Sequence, residues 1–151
     1  MTKHEKKALL QACIDLVAAR AELSRTAMES AQAAANEEGK SSMGDKYETT
    51  RATMQAETDR HGRQLAENSQ ALAILERLPI ARKFDRAEVG AVVTTEAATY
   101  FIAVGLGQIQ HAGQPIFVVS PLAPVGKALQ DKKPGESFVI NGKSQKVVGV
   151  W

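Results

Sequence analysis

Apolar residues recur at intervals of three and four along the first half of the chain. From residue 4 to about 36 a stripe runs through Leu10, Ile14, Val17, Ala21, Met28, Ala31 and Ala35, broken only by Ser24. That spacing places them on one face of a helix. The residues between are mostly Ala, Leu, Glu, Gln and Lys, all good helix formers. A second stripe, Tyr47, Met54, Thr58, His61, Leu65, Asn68, Leu72 and Leu75, predicts a helix over 47–78. The first stripe shrinks from Leu and Ile to Ala, while the second gains its large residues late. These mirrored gradients predict an antiparallel hairpin. Leu10, Ile14 and Val17 face Leu72 and Leu75 at the base, and the alanines face Tyr47 and Met54 near the tip. At ~1.5 Å per residue, arms of about 30 residues reach roughly 45 Å. A two-helix hairpin of that length is thin and mostly solvated, a poor container for an active site and a good probe or spacer.

The second half changes pattern. Residues 91–95, 100–106 and 116–119 are short runs rich in β-branched and aromatic side chains. His111-Ala112-Gly113-Gln114-Pro115 reads as a loop and residues 125–130 as a short helix. Two further runs, 137–140 and 145–150, flank Asn141-Gly142, the strongest short hairpin signal. Gly105-Leu106-Gly107 lacks the third glycine and following helix of a nucleotide loop. No proline precedes Pro79, and eight of the eleven glycines follow it. The chain therefore divides into a helical hairpin, 1–80, and a small antiparallel β-rich domain with a short helix, 81–151. The fold class is α+β.

Composition narrows the function classes. The chain has 151 residues, 44% apolar and 24% charged, which excludes wholesale disorder. Aromatics are 5%, so the core is mostly aliphatic. The single cysteine, Cys13, excludes an internal disulfide and a cysteine-rich zinc site. Its place on the stripe fits a buried small hydrophobe better than a reactive thiol. His4, His61 and His111 have no ligand-like spacing. No apolar run approaches the ~18 residues of a membrane span. The apolar stretch before Cys13 is too short for a signal core, so the expected location is cytoplasmic. The net charge of +2 divides into −1 over residues 1–80 and +3 over 81–151. No concentrated basic face for direct nucleic-acid binding results.

The link between the predicted helices is acidic: Glu37, Glu38, Asp45 and Glu48 stand against Lys40 and Lys46. Gly39 and Gly44 break the helices. Ser42 and Asp45 have capping-box spacing, and Asp45 with Glu48 equally fits a cap and a first-turn acid. Such acids stabilise a helix N-terminus by ~0.3–1 kcal/mol on their own. Lys127, Lys132 and Lys133 form a basic group in the second half, either a solvated face or a docking patch for an acidic surface.

Two runs resemble the Gre family of bacterial transcript-cleavage factors. Gly44-Asp45-Lys46-Tyr47-Glu48 resembles the family tip Gly-Asp-x-x-Glu. Pro124-Val125-Gly126-Lys127-Ala128-Leu129, then Lys132-Lys133-Pro134-Gly135-Glu136, resembles the family run Pro-Ile/Leu-Gly-Arg-Ala-Leu followed by Gly-Lys-Lys-x-Gly-Asp. In architecture the resemblance covers nearly the whole chain. Thr49-Thr50-Arg51-Ala52 stands where the family has Asn-Ala-Glu-Tyr, and Asp131 where it has glycine. Ser120-Pro121-Leu122 lengthens the entry to the second motif. The chain thus resembles a divergent member.

The resemblance implies an FKBP-like C-terminal domain that docks on bacterial RNA polymerase at its secondary channel, with Lys127, Lys132 and Lys133 at the interface. The hairpin tip enters the channel. There Asp45, the leading ligand, and Glu48 help the polymerase hold its second Mg²⁺, and no metal is bound tightly by the chain alone. Ser41 or Ser42 positions the water or caps the helix. The protein is then a monomeric stimulator of the polymerase's own nuclease and no enzyme itself, meeting the transcript 3′ end only inside the polymerase. The altered flank after Glu48 keeps open a channel-binding regulator without cleavage stimulation. A stand-alone enzyme lacks support, since neither a nucleophile elbow nor a phosphate loop is present.

Overall fold

The computed structural model describes residues 1–38 and 44–151, with side chains described for 1–37 and 48–151. Its elements run α1 (Lys3–Glu38), α2 (Gly44–Glu76), β1 (Val92–Thr95), β2 (Thr99–Ile102), β3 (Gly107–His111), β4 (Gln114–Val119), α3 (Pro124–Leu129), β5 (Ser137–Ile140) and β6 (Lys143–Val150). The architecture is the expected α+β one, two long helices followed by a sheet with a short helix. Two compact units make it up. One is formed by Met1–Cys13 with Ile74–Trp151, the other by Ile14–Ala73. No described helix is long and apolar enough to cross a membrane.

The helical unit is built on a seam of small residues. On α1, Val17, Ala21, Ser24, Ala31 and Ala35 are buried. Ser24 thus belongs to the seam rather than interrupting it. On α2, Thr58 is buried, while Met54, His61, Leu65, Asn68 and Leu72 are half-buried. Thr58 satisfies its hydroxyl within its own helix, donating to the Met54 carbonyl at 2.9 Å. Gly62 leaves room for Met28, whose sulfur lies 3.5 Å from where a Cβ would stand. Each buried methylene contributes about 0.8 kcal/mol. An alanine seam therefore holds two helices together weakly per turn, and helix propensity supplies much of the rest.

In the other unit, α1 starts with a capping box. Thr2 Oγ1 accepts from the Glu5 backbone N–H at 3.1 Å, and the Glu5 carboxylate accepts from the Thr2 N–H. These bonds hold the Glu5 carboxyl below its ordinary range. Leu9 and Cys13 are fully buried, as is Leu75 in the last turn of α2, and Leu78 just beyond that helix is buried too. Leu10 and Ile14, predicted to line the base, are only half-buried. The six-stranded sheet has the order β3-β4-β2-β1-β6-β5. Every pairing is antiparallel except β2 with β4. Its core gathers Phe84, Ala87, Ala91, Val93, Tyr100, Ile102, Leu129, Phe138 and Val147.

Two features depart from the sequence expectation. The run 100–106 ends as a strand at Ile102, and a separate strand begins at Gly107. The expected loop at 111–115 is a tight turn between β3 and β4. Its central residues, Ala112 and Gly113, have φ of 52° and 75°, almost repeating Asn141 and Gly142 at 52° and 74°. Both hairpins thus use the turn whose twist matches the strands.

Two donors meet at the Trp151 carbonyl oxygen. It accepts from the Val92 N–H at 2.8 Å and from the Lys6 ammonium at 2.8 Å. Lys6 also lies 4.0 Å from the Phe84 ring centroid. The residue is 3% exposed, and burial, with a smaller contribution from Arg82, pulls its pKa down from 10.5 to about 8. Below pH 8 both folded and unfolded chains carry the charge, and its burial costs stability. As pH rises through 8 the folded chain releases the proton first, so stability increases. Cys13 acts in reverse: burial pushes its thiol from 9.0 up to about 11, so the unfolded chain ionises first above pH 9. Urea unfolding should therefore show stability rising between pH 8 and 9, and Lys6→Met should remove the rise. An equal rise in the variant would show that Lys6 is not its source.

A second prediction concerns Gly126. A Cβ there would collide with the Ser120 carbonyl oxygen and come within 3.0 Å of the Pro121 Cα. Both neighbours are backbone and cannot swing aside. Gly126→Ala should cost about 2 kcal/mol or more in urea unfolding; an unchanged midpoint would contradict the packing described.

Candidate functional site

The residues singled out in the sequence fall into two groups, one in each unit. The first flanks the connection between α1 and α2. Gly44, Asp45 and Glu48 lie in the first turns of α2. The Asp45 side chain, and those of Lys46 and Tyr47, lie outside the described residues, as do Lys40, Ser41 and Ser42 altogether. Glu48 is exposed, and its i, i+3 relation to Asp45 sets the two positions on one side of α2. On the other arm, Glu37 is exposed in the last turn of α1, a turn without a basic residue.

The helix macrodipole treats these acids differently. Asp45 and Glu48 stand at an N-terminus, where a negative charge is favourable. Glu37 and Glu38 stand at a C-terminus, where it is unfavourable. The dipole therefore favours acids at the first pair of positions and disfavours them at the second. Of these acids, Glu37 and Glu48 have described side chains, and both are exposed. Among the described residues, no group of three or more His, Cys, Asp and Glu side chains is placed to hold a metal by itself.

The second group lies on and after α3. Pro124 opens the helix, where its missing N–H is not needed. Gly126 brings the helix close to the loop before it. At the end of α3, Asp131 takes a φ of 62° and donates its N–H to the Ala87 carbonyl at 2.8 Å, while the Ala87 N–H donates to the Lys132 carbonyl at 2.8 Å. This two-way tie fixes the segment that carries the lysines. The Gly135 N–H donates to Val147 at 2.8 Å and holds the next turn against β6. Lys127 and Lys133 are exposed and Lys132 is half-buried.

The surroundings of these lysines are more mixed than the sequence indicated. Lys133 is near enough to Asp85 to help lower its carboxyl, after the larger effect of Arg86 at 3.3 Å. Asp131 and Glu88 in turn help raise Arg86, behind Asp85. Acids from residues 85–88 and 131 thus interleave with the basic group. A recess of about 380 Å³ lies beside α3, with Arg82, Glu88, Val89 and Asp131 in its wall. Leu122, in the lead into α3, is 77% exposed.

No protein-family model matches this chain, and no curated protein matches it. Among solved structures, it is similar to that of the transcription factor Gfh1. The two align over 91% of this chain and 92% of that one, at 17% identity and a TM-score of 0.36.

Proposed function

We propose that this chain is a Gre-like transcription factor. It docks on RNA polymerase through its sheet unit and offers the carboxylates of the helix connection to the polymerase's active centre, where it stimulates cleavage of a backtracked transcript. The reading is carried by one observation. Glu37, Asp45 and Glu48 flank the connection of two helices of 36 and 33 residues whose seam has little interior to house a site. Acids at the end of such a hairpin act on something outside the chain.

The chemistry asked of the chain is small. Asp45 and Glu48 supply carboxylate oxygens to a Mg²⁺ shared with the polymerase, Asp45 leading and Glu48 holding the metal or its water. When bound between two such partners, Mg²⁺ helps activate the attacking water and steady the leaving oxygen of a phosphodiester. The near-octahedral shell of this ion keeps several waters. Two carboxylates from this chain leave room for them and for the polymerase's own ligands. The chain contributes no nucleophile of its own and acts as a stimulator rather than an enzyme. Lys127, Lys132 and Lys133 steer the sheet unit onto an acidic polymerase surface, with Leu122 as the apolar point of contact.

A second reading has a specific observation in its favour. Thr49-Thr50-Arg51-Ala52 replaces the flank that the family carries after its tip glutamate. A factor with that change is suited to occupying the channel without stimulating cleavage.

Stalled, backtracked complexes of the cognate polymerase separate the two. With Mg²⁺ present, the chain should speed 3′ cleavage, and Asp45→Ala/Glu48→Ala should abolish the gain while polymerase binding stays intact. Binding with unchanged or slower cleavage would support the second reading. Reversing Lys127, Lys132 and Lys133 to Glu should weaken binding at low salt by about tenfold or more. Unchanged binding in that variant would remove the lysines from the interface.

A further inference from the structure

Strand β5 lies at one edge of the sheet: the strand order ends on it, and among the described residues β6 alone pairs with it. An edge strand presents unpaired N–H and C=O groups, which charges, prolines or bulges usually shield from other chains. β5 reads Ser137-Phe138-Val139-Ile140, with no charge and no proline. At its middle, Val139 is 63% exposed. At the opposite edge, β3 exposes only Gly107 and two glutamines, Gln108 and Gln110.

The hairpin turn fixes which groups face outward. A two-residue turn such as Asn141-Gly142 is flanked by a hydrogen-bonded pair, here Ile140 with Lys143. Before the other end of β5, the Val147 N–H donates to the Glu136 carbonyl at 2.9 Å, in the same alternation. Phe138 therefore bonds to Gln145, while Ser137 and Val139 turn their N–H and C=O away from β6. Lys146, opposite Ser137, is likewise turned away from β5, and its carbonyl accepts from the Glu96 N–H at 3.1 Å. The side chains alternate as well. Phe138 joins the core that includes Leu129 of α3, and Ser137 and Val139 are exposed.

The occupant such an edge suits best is another copy of itself. β5 carries no charge that would repel its like. The residues beside it are opposite in sign: Glu136 precedes it and Lys143 follows its turn. Both are exposed, and neither belongs to the ion pairs of the described residues, Arg25 with Glu22, Arg82 with Glu88 and Arg86 with Asp85. A two-fold antiparallel pairing brings the Glu136 end of each strand to the Lys143 end of the other. We propose that β5 pairs in this way with β5 of a second copy of this chain. Ser137 of each copy stands opposite Val139 of the other, each opposed pair exchanging both N–H···O=C bonds. The paired edge is short, so the dimer is weak and reversible. This pairing does not depend on the polymerase reading.

Sedimentation equilibrium of the full chain should show the mean mass rising from one chain toward two between about 10 μM and about 1 mM. Val139→Lys alters an exposed side chain and should weaken association by at least about tenfold. Glu136→Lys and Lys143→Glu should each weaken it several-fold, and the two changes together should restore it. Disulfide formation reads the register, since the native thiol, Cys13, is fully buried. Directly opposed residues of a hydrogen-bonded pair have Cα atoms about 5.5 Å apart, within disulfide reach. A mixture of Ser137→Cys chains and Val139→Cys chains should therefore form its mixed disulfide faster than a mixture of Gln110→Cys chains and Val139→Cys chains. A single-chain mass throughout would overturn the proposal and leave the edge to a different partner. Association unchanged in Val139→Lys, no recovery in the exchanged pair, or equal rates in the two mixtures would overturn it too.

Discussion

The Trp151 carbonyl oxygen is the atom on which the sheet unit depends. It ties the last residue of the chain's final strand segment to Val92 at the head of β1, and the Trp151 N–H returns a bond to the Val92 carbonyl at 2.9 Å. This closes β6 onto β1 and so fixes the middle of the sheet. The same oxygen receives the Lys6 ammonium from the second turn of α1. One acceptor thus joins the end of the sheet to the start of the helix. Burying a cation there has a cost, which the Trp151 oxygen and the face of Phe84 offset. Backbone pairing and a buried cation therefore meet at one oxygen.

The helical unit is governed by a different economy. Ala21, Ala31 and Ala35 let two helices pair closely without a large interior. Such a seam leaves little room to enclose a substrate, and Glu37 and Glu48 are exposed near its end. There the placement of Glu37 runs against the helix dipole, a feature that stability does not explain. The sheet unit supplies what the helices lack: an ordered surface with Gly126 drawn tight against Ser120, lysines held by the Ala87 tie, and an exposed leucine.

Much of this was legible in the sequence, for physical reasons that can be named. Spacings of three and four located both helices and most of the seam, including Val17, Ala31, Ala35 and Leu75. Cys13 is buried as expected, but the base was displaced: Leu9 is buried, and Leu10 and Ile14 are only half-buried. A straight helix drifts by ~20° per heptad from a seven-residue repeat, so a stripe extrapolated along many turns moves off its face. Strand β3 was missed because it lies at the sheet edge with only Ile109 as an apolar residue. Its turn, Ala112-Gly113, adopts the same backbone as Asn141-Gly142 but lacks the asparagine that advertises a left-handed residue. The lysines after α3 were visible from type and spacing. The acids around them were not, because the fold brings residues 85–88 to that segment through the Ala87 tie. Nor was the burial of Lys6, since a basic residue near a helix start reads as solvated.

The account turns on whether the helix connection works at the polymerase's active centre. The most direct measurement places a photo-crosslinking amino acid at position 46, between the two acids, and, in a separate chain, at position 112 in the β3–β4 turn. Each chain is irradiated in backtracked complexes with a labelled transcript 3′ end. Position 46 should crosslink to the transcript 3′ end or its immediate polymerase surroundings, and position 112 should not. Bound chains that crosslink there equally from both positions, or from neither, would contradict the account.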